Sequence, residues 1–175
     1  FPNRKIDILV PEAELAEHSP TALLAAQDEQ VVAKLKDICP SAAGAYEQGV
    51  RDLAGAARSS YRGPATDMRE ALRETLHALA PDDEVKRQSW YKPVNGSDKP
   101  TMAQRARYAL EAARKGEQVT GAAVRSVEVS EELFTGFLRD VYGRSNVSTH
   151  TDAGKAEAEK MHALIRVVLA DLLGL

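Results

Sequence analysis

A single cysteine, Cys39, stands in 175 residues. It excludes an intrachain disulfide and a cysteine-based zinc cluster. Aromatic residues make up 5% of the chain, and strand-forming runs are scarce, so a sheet has little to build on. No apolar run approaches the roughly 20 residues needed to span a bilayer, and no signal-peptide pattern is visible. Positive charge is not in excess either. The formal net charge is −3, which argues against a protein that coats DNA but leaves room for a local basic groove. The lone cysteine fits a reducing compartment, and the expected location is the cytoplasm. The chain starts at Phe1 rather than a methionine and reads as a piece of a longer protein with further domains.

What is present is ordinary for a soluble globular domain: 43% hydrophobic and 28% charged residues. Alanine is abundant, which favours helices. The length suits one domain with a substantial core. Residues 1–19 are irregular, punctuated by Pro2 and Pro11 and closed by Pro20, and read as an arm or linker. Its segment Ile6-Asp7-Ile8-Leu9-Val10 is apolar enough to dock on the body or on a partner. Residues 20–175 read as an all-α, single-domain bundle of about six helices.

Val31, Leu35 and Ile38 fall at helical spacing, in a helix expected to stop near Cys39-Pro40. Ser41 is positioned to cap the next helix, whose apolar line is Tyr46, Val50, Leu53 and Ala57. A break is expected over Arg58 to Pro64. The cleanest helix runs from Ala65 to Ala80, with Met68, Leu72, Leu76 and Leu79 on one stripe and Arg69, Arg73 and His77 on a second. A long loop from Glu84 to Pro100 carries Trp90 and Tyr91. Thr101-Met102-Ala103-Gln104 is a capping box for a helix to about Lys115, closed by Gly116. Residues 116–129 read as a loop or short helix. Ser130 reads as the cap of a helix with Leu133, Phe134, Phe137, Leu138 and Val141 inside and Gly143 at its end. After His150 a last helix is marked by Met161, Leu164, Ile165, Val168, Leu169 and Leu172.

Three segments could carry chemistry. The first is Tyr142-Gly143-Arg144-Ser145-Asn146-Val147-Ser148-Thr149-His150, at the mouth of the last helix. Arginine stays charged and binds phosphate through a planar fork. Histidine carries protons near neutral pH, and a helix start favours anions. Arg144 and His150 are the candidate catalytic pair, with Asn146, Ser148 and Thr149 as substrate ligands. The competing reading pairs Arg144 with an acid and makes His150 a cap. The second segment is basic: Arg58 and Arg62, followed by Arg69 and Arg73, form a candidate phosphate strip. Here Glu70 and Glu74 are interleaved, so a salt-bridged solvated face competes, and His77 reads as structural. The third is Asp82-Asp83-Glu84, adjacent acids that do not converge as metal ligands would and read as a turn and cap. No metal and no cofactor are expected. Trp90-Tyr91 could stack a base, but pinning the loop to the core is the commoner role.

The Arg144–His150 spacing resembles the R-x(4–6)-H motif of HEPN-domain ribonucleases, although Asn146 is not directly behind the arginine. That resemblance implies an all-helical, metal-independent endoribonuclease that uses the RNA 2′-hydroxyl and completes its site in a homodimer. A wider set of matches runs through Ala57-Arg58-Ser59-Ser60-Tyr61-Arg62-Gly63, Arg69-Glu70-Ala71-Leu72-Arg73 and Leu79-Ala80-Pro81-Asp82-Asp83-Glu84-Val85. It continues through Lys99-Pro100-Thr101-Met102, Gln104-Arg105 and Tyr108 to Val141–Ser145 and Ser148–His150. Over about residues 40–175 the chain resembles a bacterial family of predicted nucleases associated with prokaryotic Piwi proteins. This implies a defence setting, with RNA, a second copy, other defence-protein domains or a Piwi-type protein as partners. The alternative function is a non-catalytic helical dimerisation or adaptor module of a larger defence protein.

Overall fold

A computed structural model describes residues 20–55, 60–94, 96–143 and 151–175. The expected arm over residues 1–19 lies outside the described residues. Among them, seven helices follow in order: α1 (Pro20–Ile38), α2 (Pro40–Ala54), α3 (Arg62–Leu79), α4 (Asp82–Lys86), α5 (Met102–Ala112), α6 (Glu117–Gly143) and α7 (Thr151–Leu173). No named strand occurs among the described residues, where extended backbone pairs at the isolated bridge Val94–Ser97. The all-α single-domain bundle is therefore what forms. No helix among the described residues is long and apolar enough to cross a membrane.

α1 stops at Ile38 because Pro40 cannot continue it, and Pro40 itself starts α2. Ser41 is not the cap. Its hydroxyl bonds Glu74 of α3 and lies 3.4 Å from the Cys39 sulfur, and α2 starts without a side-chain cap. α3 begins at Arg62, three residues earlier than expected. Gly63 and Pro64 fall within its first turn, where a missing N–H loses no intrahelical bond. Its inner face is Met68, Ala71, Leu72, Thr75 and Leu76. Each fully buried leucine here contributes roughly 1.5–3 kcal/mol. At Gly49 of α2 an added Cβ would lie 2.9 Å from Met68 Cε and 3.3 Å from the Pro64 carbonyl, so glycine lets α2 and α3 approach closely.

Thr101 and Gln104 form both bonds of the capping box that opens α5. Its other end differs from expectation. Lys115 N–H bonds Leu110 O and Arg114 N–H bonds Glu111 O, the two bonds of a Schellman ending, and the left-handed residue is Arg114, with φ +57°. Gly116 comes two residues too late for that role.

α6 runs unbroken for 27 residues. The loop or short helix expected over residues 116–129 is instead the first half of this helix, because Thr120, Ala123, Val127 and Ser130 form one continuous buried stripe. Ser130 sits inside the helix and donates to Val127 O at 2.8 Å. α7 buries Met161, Ile165, Val168 and Leu169.

α3 and α7 form the centre of the bundle, and each packs against α1, α2, α5, α6 and the other. Leu172, near the end of α7, packs against the cluster made by Ala80 and Val85, just past the end of α3, with Ala109 of α5. α3 and α7 therefore run in the same direction. α6 packs on α7 and reaches it through only seven residues, so it runs the opposite way. The starts of α3 and α7 and the end of α6 consequently share one end of the bundle.

A smaller apolar cluster closes the other end. Trp90 anchors the loop there: its indole N–H donates to Glu111 at 2.9 Å, and the Arg107 guanidinium lies 4.3 Å over its ring. Arg105 is 2% exposed and donates to Ala80 O and the Asp82 carboxylate, which ties α5 to the end of α3. Asp82 and Glu84 are thus engaged by Arg105 and Arg87 in ion pairs, in keeping with a turn that starts α4.

Candidate functional site

Arg144, Asn146, Ser148, Thr149 and His150 lie outside the described residues, as does Arg58. What is described is their frame. The segment 144–150 connects Gly143, the last residue of α6, to Thr151, the first of α7. Arg62 opens α3 at the same end of the bundle.

Arg69 and Arg73 sit further along α3 and do not stand as bare cations. Arg69 makes a bidentate pair with Glu131 of α6, both bonds at 2.8 Å, and lies 4.9 Å over the Phe134 ring. Arg73 pairs with Glu70 one turn back and lies 3.6 Å from Glu74. The hydrogen bond from Arg73 lowers the Glu70 pKa and raises its own. These two arginines line a shallow pocket of about 390 Å³ with His77, Lys99, Arg105 and Glu131. Burial, then the charges of Arg105 and Arg73, lower the pKa of His77, so its neutral form is favoured. Of the four cations on its wall, Arg69, Arg73 and Arg105 are paired with Glu131, Glu70 and Asp82, and Lys99 has no ion pair among the described residues.

A larger cleft was not anticipated from the sequence. It holds about 890 Å³ between α1, α2 and α7. At its base Asp28 of α1 accepts from Tyr46 of α2 at 2.7 Å, and the same oxygen lies 2.9 Å from Nε2 of His162 on α7. The Tyr46 hydroxyl is 3.3 Å from the same ring nitrogen. Arg166, one turn beyond His162, has its guanidinium 4.0 Å from that one Asp28 oxygen. Burial pushes the Asp28 pKa up, but the bonds from His162 and Tyr46 and the charges of His162 and Arg166 outweigh it, and the net pKa is lowered. Burial and then the bond to Asp28 raise the Tyr46 pKa far above its usual value, so this phenol stays protonated. The walls above this base include Val32, Val50, Leu53 and Ala163.

The signal for this cleft was weak in the sequence. Lys155, Glu159, His162 and Arg166 recur at spacings of four, three and four, a polar stripe beside the apolar face of α7. Nothing local marks Asp28 or Tyr46 as their partners.

The family model described as predicted pPIWI-associating nuclease matches residues 35–173. No curated protein and no solved structure matches the chain significantly.

Proposed function

Because the chain belongs to the family of predicted pPIWI-associating nucleases, we propose that it cleaves RNA at the α6–α7 junction without a metal ion, using Arg144 and His150. One topological observation carries this reading: the segment holding both residues joins two long, packed helices at the end of the bundle where α3, the helix of Arg62, Arg69 and Arg73, begins. A phosphate held there would have the Arg62 turn beside it, and Arg69 and Arg73 would follow along α3 toward the pocket that Lys99 also lines. Arg69 and Arg73 can serve such a strand only by sharing their N–H groups with Glu131 and Glu70 or releasing them, so they add reach and salt sensitivity rather than catalytic power.

The chemistry needs no outside nucleophile. The 2′-oxygen attacks phosphorus, the bond to the 5′-oxygen breaks, and the products are a 2′,3′-cyclic phosphate and a 5′-hydroxyl. One imidazole takes the 2′-hydroxyl proton, and another donates a proton to the departing oxygen. Each chain carries one His150, so a two-fold pair of chains supplies both roles, with His150 of the partner subunit as the second group. Arg144 neutralises the charge that builds on the phosphoryl oxygens. Asn146, Ser148 and Thr149 orient the phosphate, and Arg58 extends the strip at the start of α3. The setting that fits is a HEPN-like toxic effector in antiviral defence, working beside a Piwi-type protein or within a larger defence protein.

The test is cleavage of labelled RNA in the presence of EDTA. Arg144→Ala and His150→Ala should each lower the rate by roughly 10²–10⁴-fold, with the thermal melting of the helices unchanged. Mixing His150→Ala with the unaltered chain should lower the activity by more than dilution if the site is shared between copies. Full activity of His150→Ala, or cleavage that appears only with added magnesium or manganese, would overturn the reading. A stable dimer that cleaves nothing would favour the adaptor alternative.

A further inference from the structure

The Arg166 guanidinium is deeply set, with its side chain 13% exposed, and it is under-committed. Its nearest carboxylate oxygen among the described residues is 4.0 Å away, beyond hydrogen-bond length. That oxygen already receives the Tyr46 hydroxyl and faces the His162 ring. A guanidinium has five N–H donors in a fixed fork, and none of those on Arg166 is both buried and unpartnered, so the ones that no protein acceptor meets are left to solvent in the cleft. Of the other charges that line the cleft, Arg51 pairs with Glu47 at 3.2 Å and Lys155 with Glu159 at 3.6 Å, while Glu29 and Lys36 offset one another in sign. Arg166 therefore has donors to offer an acceptor that enters this cleft, beside His162, which sits one turn away on α7 and also lines it.

We propose that this cleft binds a nucleoside phosphate, with the phosphate on Arg166 and the flat base between the aliphatic walls of α1 and α2. A phosphate can meet the Arg166 fork with two oxygens and keep a third for solvent or a further donor. The volume of about 890 Å³ lies within the range of small-molecule sites. Val32 and Val50 stand on facing helices and supply apolar surface for a ring. The source of the nucleotide is either a free mononucleotide or one unit of an RNA strand. The second is geometrically open because Lys155 lines the cleft only four residues, about 6 Å, from the start of α7.

Calorimetric titration with the four 5′-nucleoside monophosphates tests the proposal, with adenosine, inorganic phosphate and benzoate as comparison probes. At least one nucleotide should bind, and each comparison probe should bind at least tenfold more weakly. Arg166→Gln should weaken nucleotide binding roughly ten- to hundredfold and leave adenosine unchanged. If Arg166→Gln does not fold, Val50→Trp, which fills the cleft from its wall, should abolish binding while the melting transition persists. Competition by a 2′-O-methyl oligonucleotide that equals the free nucleotide assigns the site to an RNA unit, and failure to compete assigns it to a free ligand. No binding of any nucleotide at 1 mM, benzoate binding as tightly as nucleotide, or unchanged affinity in both variants would overturn the proposal. Loss of nucleotide binding in Arg144→Ala would also overturn it, by moving the bound phosphate to the helix junction. Nuclease activity can fail or hold without altering any of these outcomes.

Discussion

At the scale of single residues, two arginines show how one side-chain type serves opposite ends. Arg114 occupies a left-handed backbone position, φ +57°, which costs a residue with a Cβ roughly 1–2 kcal/mol. The Schellman bonds around it hold it there. Arg114→Gly relieves that strain but frees the unfolded chain, so a net gain of about 0.5–1 kcal/mol is expected in urea unfolding, and a loss would contradict the assignment of the helix ending. Arg105 is the reverse case, a residue whose removal exposes a debt. It satisfies the buried carbonyl of Ala80 and the Asp82 carboxylate. Arg105→Met should cost about 1–3 kcal/mol, the penalty for leaving such a carbonyl without its donor. The proposed RNA cleavage should persist in the folded fraction, because Arg105 reaches structural partners rather than the helix junction. Its place in the family-like segment Gln104-Arg105 is then accounted for by folding alone.

At the scale of elements, α6 separates what local sequence can and cannot reveal. Ser130-Glu131-Glu132 has the composition of a helix start, so the sequence suggested a cap there. The buried stripe Thr120, Ala123, Val127, Ser130 runs straight through that position. Thr120 and Ser130 are small polar residues on an apolar face, and they disguise the helical period. A genuine N-cap loses about 1 kcal/mol when changed to alanine. Ser130→Ala should instead leave stability within about 0.5 kcal/mol or raise it, since its hydroxyl only doubles a backbone acceptor within the helix. The capping box at Thr101 and the stripes of α3 and α7 were legible because each signal lies within one turn or one face. The cleft was not, because Asp28 meets Tyr46 and His162 from three different helices. Arg69 to Glu131 is likewise a bond across 62 residues, whereas Arg73 to Glu70 could be read from an i, i+3 spacing.

At the scale of the whole molecule, the Asp28–Tyr46–His162 junction ties α1 to the rest of the bundle, and its titration should shape stability from both sides. The Asp28 pKa is lowered in the folded state. The unfolded chain therefore binds more protons as pH falls below about 3.8, and the stability this group contributes is lost as pH drops through its folded value. The Tyr46 pKa is raised instead. Above about 10 the unfolded chain releases a proton that the folded chain retains, so stability falls as pH rises. Each group can impose a slope of up to about 1.4 kcal/mol per pH unit within its window. Unfolding free energies measured from pH 2.5 to 11 should fall away at both ends. Tyr46→Phe should flatten the alkaline limb, and Asp28→Asn should flatten the acid limb, each in a protein less stable at neutral pH by about 1–3 kcal/mol for the partner left unmatched. An alkaline limb that persists unchanged in Tyr46→Phe would mean that another group titrates there, and that α1 is held to α2 by its apolar contacts rather than by this hydroxyl.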